Sequence, residues 1–443
     1  MSDDPPIHWL HVYFSAFNNG PDYGTGAKLL RDQTVNLMGT PVPKFLSDYL
    51  ISQQNNLLGG YPTDWDFAPS VTFAVIFFAL AVVHLLIWSI NFSRGHYFHI
   101  SLVWVSYCAM RVVGWALRAY WGKNILMIEA GIASEVFLII SSMVVVSFNL
   151  ILAQRLFTWR HPVGGSRRLF WNIMLTLYFI VFLVVAMTIV AAVVPYLYFL
   201  SAAAYRSYKI VVMVSCVLIV MYSLTSISLL GLSYFFKPTA KDENLYTYQP
   251  WWIESFHPLY FVQPQAAQKA EETFMKRNHN HRHAIRVIAA THHHYKMVEG
   301  LTNQRGELGH NISIMLICVT TLLIFIGGIL RCILMFQNNM NKHATSLGKP
   351  IVAYIIWGVF EVIVNLLYIV GRVDLRFYRP DVLPAKVRAI ITAEQTGAPS
   401  IDEDESSSSF SFHDNEEKSF VTGSSAKSDT PEMFPDNESE FRF

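Results

Sequence analysis

The chain has 443 residues, of which 53% are hydrophobic and only 15% charged, against about 25% charged in a soluble globular domain. The apolar residues collect in long charge-poor runs, which excludes an ordinary water-soluble fold and a basic nucleic-acid-binding domain. The formal net charge of +1 identifies no partner, because charge is partitioned by region.

Residues 1–68 are polar, aromatic and punctuated by Pro41, Pro43, Gly59, Gly60 and Pro62. They predict an N-terminal segment outside the membrane, without long regular elements and too small for a large core. The opening MSDDPPIHWL has no basic stretch ahead of an apolar run, so the first membrane helix is expected to act as the targeting signal.

Seven apolar runs follow, at 69–90, 98–120, 128–152, 169–194, 210–235, 312–336 and 350–371. A hydrocarbon core about 30 Å thick needs about 20 such residues as a helix. None of the runs alternates as a strand would, and backbone polar groups cannot stay unpaired in lipid. The expected fold is therefore all-α, a polytopic bundle of seven transmembrane helices. Five helices occupy 69–235 and two occupy 311–371. A loop spans 236–310 and a tail 372–443. Cys108, Cys216, Cys318 and Cys332 all fall in apolar runs, so no disulfide framework is expected outside.

Basic residues set the expected orientation. The short link 153–168 carries Arg155, Arg160, Arg167 and Arg168, and the loop 236–310 adds nine lysines and arginines. The tail begins with Arg372, Arg376 and Arg379. That side should be cytosolic, with the N-terminus outside and the C-terminus inside.

Several ionisable or amide residues lie at membrane depth, where they are costly. Arg111 and Arg118 are seven apart and share a face of the second helix. Counting rise per residue brings Glu135 of the third helix to the level of Arg111, which predicts an Arg111–Glu135 pair and leaves Glu129 for Arg118. Arg331 lies near the outer end of the sixth helix, and Glu361 near the middle of the seventh with Asn365 one turn on. His84, Asn149 and Asn365 share the inner third. Two readings stay open: a polar cavity lined by Arg111, Glu135, Arg331 and Glu361, or pairs that merely join helices. His84 alone reads as a hydrogen-bonded packing residue.

In the long loop, residues 276–301 place Ile285, Ile288, Tyr295 and Val298 at helical spacing among basic residues, including Lys276, Arg277, Arg282 and Arg286. This predicts a helix lying on anionic inner-leaflet lipids. His279 and His283 have a zinc-compatible spacing, but no Cys or acidic partner completes a motif, so no metal and no cofactor are expected. From about residue 399 the tail is acidic and serine-rich and cannot build a core, so it should be disordered. Ser406, Ser407, Ser408 and Ser409 follow an acidic run and are candidate phosphorylation sites. The loop or the tail would bind a cytosolic protein.

The stretch from Ala68-Pro69-Ser70 through His84, Arg111, Gly114 and Arg118, then Asn149-Leu-Ile-Leu-Ala-Gln-Arg155 and His161-Pro162, resembles fungal seven-span membrane proteins. One such group is the fungal lipid-translocating exporters. The other is a family of multi-span proteins without an assigned activity, and it fits the Ala-Gln-Arg and His-Pro residues better. The resemblance implies a plasma-membrane protein of a fungus, with a link to plant infection by smut fungi. It supplies no catalytic residues, and no Walker, zincin or serine-hydrolase motif stands in a usable context. The expected role is non-enzymatic, as a sensor or an organiser of secretion or host interaction. The alternative is a translocator of a lipid or amphiphile.

Overall fold

The computed structural model describes residues 24–161, 168–236, 247–248, 253, 255–266, 310–378 and 381–382. The basic loop helix with Lys276, Arg277, His279, Arg282, His283 and Arg286, and the tail with Ser406–Ser409, lie outside the described residues.

Two short helices, α1 (Ala27–Met38) and α2 (Lys44–Ser52), precede the seven long ones. These are α3 (Phe67–Ser93), α4 (Ile100–Lys123), α5 (Ile128–Arg160), α6 (Arg168–Leu197), α7 (Ala202–Phe235), α8 (His310–Gln337) and α9 (Pro350–Val370). Each is long and apolar enough to cross a bilayer. The protein is a seven-helix membrane bundle. A four-residue α10 (Val373–Arg376) follows, and β1 (Thr247–Tyr248) pairs antiparallel with β2 (Asp381–Val382).

Burial separates the spans by role. The most apolar window of α5 is 61% buried, whereas that of α6 is 11% buried. The third span is thus the central post, packed by α4, α6, α7 and α8. The fourth turns Leu169, Leu175, Phe179 and Phe182 outward, as a lipid-facing helix must. Serines and glycines let helices approach closely, as usual in membranes. Ser134 of α5, for example, donates to the Gly114 carbonyl of α4 at 2.8 Å.

The ends segregate as seven crossings require. At one end the N-terminal segment meets the links after α4, α6 and α8: Arg31 pairs with Glu129 at 2.6 Å, the Gly26 amide donates to the Pro195 carbonyl at 2.7 Å, and the Asn56 amide donates to the Asn339 carbonyl at 2.9 Å. We call this the outer end, after the orientation expected from the basic residues. The outer segment is more ordered than its prolines and glycines suggest. Leu30, Leu46 and Leu50 of α1 and α2 form a small core with Phe199, so tertiary packing stabilises helices too short to persist alone.

At the opposite end, residues 255–266 are held by two arginines. Arg94 donates to the Val262 carbonyl at 3.1 Å, and Arg372 to the carbonyls of Pro258 (3.2 Å) and Tyr260. Arg372 also forms a two-armed pair with Asp374, at 2.7 and 3.0 Å. Burial pushes the Asp374 carboxyl up, but the hydrogen bonds and charge of Arg372, aided by His96 and Asn91, outweigh it and hold the group below the usual carboxylate range. Burial lowers the His96 imidazole, partly offset by Asp374.

An outer cavity above a buried polar network

The seventh span carries the irregularity that organises the interior. Residues Tyr354–Phe360 form a π-helical stretch, and the α-helix resumes at Glu361. Such widened turns re-aim side chains and recur at functional sites. Here Gly358 lets the helix close on α3, since a Cβ there would lie 2.5 Å from the Phe73 ring.

Glu361 is 4% exposed and receives hydrogen bonds from three groups: Tyr107, Arg111 and Ser142, the last at 3.0 Å. Arg111 also donates to Ser142 at 2.7 Å. Asn365 continues the network by donating to the Glu361 carbonyl at 2.7 Å, while its Oδ1 lies 3.3 Å from His84 Nε2 and 3.4 Å from Cys108 Sγ. One turn deeper, Asn149 accepts from Tyr368 and from Thr320 at 3.3 Å, and donates to Thr321 at 3.2 Å. Trp104, Phe148 and Tyr368 wall this level, with ring centroids 4.2–5.7 Å apart.

The Arg111–Glu135 pairing expected from depth is not formed. Arg111 takes Glu361 instead, and Glu135 faces Arg118 at 3.5 Å. Matching depth constrains only the axial coordinate, and the rotation of α5 carries Glu135 away from Arg111. Glu129 likewise leaves Arg118 for Arg31 and Lys28 of the outer segment. Arg118 is fully buried and donates to the Gly59 carbonyl at 2.8 Å and the Gly60 carbonyl at 3.2 Å, with Asp66 at 3.9 Å. Gly59 (φ 79°) and Gly60 (φ 63°) adopt the left-handed conformation that turns both carbonyls inward. Thus Arg118 is no interfacial anchor; it binds the outer segment to the bundle.

Above the network lies a cavity of about 190 Å³. Its walls are α1, α2, the 53–61 connection and the outer halves of α5, α6, α7 and α8, with Trp357 at the base. From Ile128 to Ile139 on α5 it reaches about 16 Å along the membrane normal. The lining is mostly apolar, yet Glu135, Lys209 and Arg331 project into it. A second cavity of about 50 Å³ shares Ile139, Arg331 and Trp357 with the first and ends on Ser142 and Glu361. Arg331 is half-buried and has no ion pair within 4 Å among the described residues.

Of the residues singled out in the sequence, Glu135 and Arg331 line the cavity, while Arg111, Glu361, His84, Asn149 and Asn365 lie in the closed network beneath it. Tyr107, Ser142, Tyr368 and Lys209 were missed as members of these sites. Tyr107 sits four residues before Arg111 on the same helical face, which was a usable signal. The others pass for ordinary polar residues on long helices.

A family model described as "Protein of unknown function (DUF3112)" matches residues 162–378. The match takes in Lys209, Arg331, Glu361 and Asn365, and leaves out the first three spans with Arg111, Arg118 and Glu135. No curated protein and no solved structure matches the chain. The family's description assigns no activity, and the resemblance to fungal exporters, which spans about residues 68–380 and rests on motifs within 68–162, gains nothing from it.

Proposed function

We propose that this protein is a receptor-like sensor of a small amphiphile, which enters the outer cavity and biases the packing of the bundle beneath. The observation that carries the reading is a mostly apolar cavity, open among the outer helix ends, that stops on a closed polar network at mid-membrane. A ligand pocket usually combines apolar walls with a few placed polar groups. Arg331 stands between the two cavities, and the smaller one touches Glu361 where the π-helical stretch ends. An occupant at Arg331 therefore acts on the one span with an irregular turn, which runs on to Arg372 and the docked segment 255–266.

The size of the cavity favours sensing over lipid translocation. An engineered protein cavity of about 150 Å³ accommodates benzene, so about 190 Å³ suits a small molecule and not a two-chain lipid. The Trp104, Phe148 and Tyr368 cluster also closes the route inward. A site open to the outside suits a protein of the plasma membrane.

Hydrogen exchange of the full-length protein in nanodiscs tests the reading. Adding octanol or octanoate should slow exchange in the outer segment and change it at residues 255–266. Protection confined to the outer segment would mean binding without transmission, which rejects a sensor. Transport of a fluorescent phospholipid by proteoliposomes would favour the translocator.

A further inference from the structure

We infer that the outer cavity selects a small monocarboxylate, with the carboxylate on Arg331 and the apolar body along α5, α8 and Trp357; this rests on the sensor reading above. The cavity's charges point to an anion. Glu135 already faces Arg118 at 3.5 Å, and Arg31 is taken by Glu129 and Asp32. Two half-buried cations remain without an ion pair, Arg331 and Lys209: neither has an acidic group within 4 Å among the described residues, and Glu135, which feels the charge of Arg331 across the cavity, is in ion-pair contact with Arg118. An unpaired cation at membrane depth is costly, and a bound anion relieves that cost.

The chemistry of Arg331 narrows the class. A guanidinium offers a planar fork that matches a carboxylate with two parallel N–H···O bonds. Arg331 lies six residues inside the end of α8, about 9 Å below its outer end. A head group on Arg331 thus lays an apolar body against walls that include Ile132, Ile139, Leu334 and Trp357. A phosphate monoester carries up to two charges, so it costs more to desolvate in a mostly apolar cavity than one carboxylate does, and Glu135 on the same wall repels the second charge. An alkylammonium would meet Arg331 and Lys209 as like charges. Against the volume that holds benzene, the cavity admits a body of about eight non-hydrogen atoms, which matches the alkyl chain of an octanoate beyond its carboxylate.

The test uses the full chain in nanodiscs, with tryptophan fluorescence as the signal, since Trp121 and Trp357 line the cavity. Four probes of one chain length are compared: octanoate, octanol, octylamine and octyl phosphate. Octanoate should bind about tenfold more tightly than the other three. Arg331→Gln should remove that margin while keeping octanol binding, and Arg331→Lys should keep part of it. Ala192→Phe, which fills the cavity, should abolish binding of all four. Size-exclusion and melting profiles establish that each variant is folded; if Arg331→Gln is not, Arg331→Lys carries the comparison. Equal affinities in the wild type, all lost in Ala192→Phe, would overturn the carboxylate assignment and leave the cavity reading standing. Binding that Ala192→Phe does not touch would overturn both.

Discussion

In the inner half of the bundle, Arg111 has a carboxylate and a serine hydroxyl as partners and no exposed surface; in the outer half, Arg331 is half-buried beside a cavity, with no acid within 4 Å among the described residues and only the more distant charge of Glu135 to balance it. Both are arginines on apolar helices, and their surroundings assign them different work. A buried ion pair fixes the register of helices, because one partner without the other is an uncompensated charge. A lone cation facing a cavity does little for packing, and natural proteins accept such a cost at binding sites.

The largest expected effect breaks the inner half. Arg111→Ala or Glu361→Ala alone should destabilise the protein by about 3–5 kcal/mol, read as lost thermal stability in detergent and lower abundance in the membrane. Arg111→Met combined with Glu361→Met should recover most of the loss, giving a coupling energy far from additive. Arg111→Ala with Glu135→Ala should be close to additive, since these residues do not touch. The opposite pattern would restore the pairing that depth alone suggested.

A smaller loss follows from the level below. Tyr368→Phe removes the hydroxyl that donates to Asn149 and leaves Thr320 as the other donor to the same oxygen. The expected cost is about 1 kcal/mol, the net worth of a buried hydrogen bond whose acceptor keeps a partner. Asn149→Leu strands Tyr368 and Thr321 together and should cost more, about 1–3 kcal/mol. Equal losses would show that the amide is held by packing alone.

These sites also show what a sequence can reveal about a membrane protein. The seven spans were legible because hydropathy and length suffice once lipid is the solvent. Membrane depth could be counted, and it correctly brought His84 and Asn365 to one level. Azimuth could not, because a π-helical stretch and the tilt of α5 rotate side chains by amounts that no periodicity encodes. Hence Glu361, and not Glu135, reached Arg111. The outer helices were missed for a related reason. The helices within residues 27–52, of 12 and 9 residues, are too short to be stable on their own and are held by contacts with distant segments such as Phe199 and Glu129.

Acid should loosen the inner end before it affects the spans. His96 lies 3.0 Å from the Asp374 carbonyl, stacks on Tyr378 at 4.2 Å, and faces the charges of Asp374 and Arg372. An unfolded histidine takes its proton near pH 6.5, whereas folded His96 takes it lower. Below about pH 6.5 the open form therefore binds more protons, and stability falls as pH falls toward the folded value. Asp374 adds a second loss below about pH 3.9, because its folded carboxyl is also lowered. Hydrogen-exchange protection of residues 255–266, corrected for the slower intrinsic exchange in acid, should fall between about pH 7 and pH 5.5 in the wild type and much less in His96→Phe. A fall of the same size in the variant would clear His96 of the effect.

The smallest expected effect is the one that most sharpens the comparison. Arg331→Gln should leave stability within about 0.5 kcal/mol of the wild type or raise it. Arg331 makes no ion pair within 4 Å among the described residues, and Glu135, which feels its charge at longer range, keeps Arg118 at 3.5 Å, so the removal strands no carboxylate. Its head lines a cavity, so the shorter glutamine opens no sealed void. The change also removes a charge from membrane depth, which is favourable in itself. The same substitution at position 111 strands Glu361 at the centre of the bundle. Melting curves of Arg331→Gln and Arg111→Gln, taken in one detergent without added ligand, should therefore separate by several degrees, with the Arg331 variant at or above the wild type. A large loss in the Arg331 variant would mean that Arg331 is already neutralised in the unliganded protein, and the outer half would then be built like the inner one.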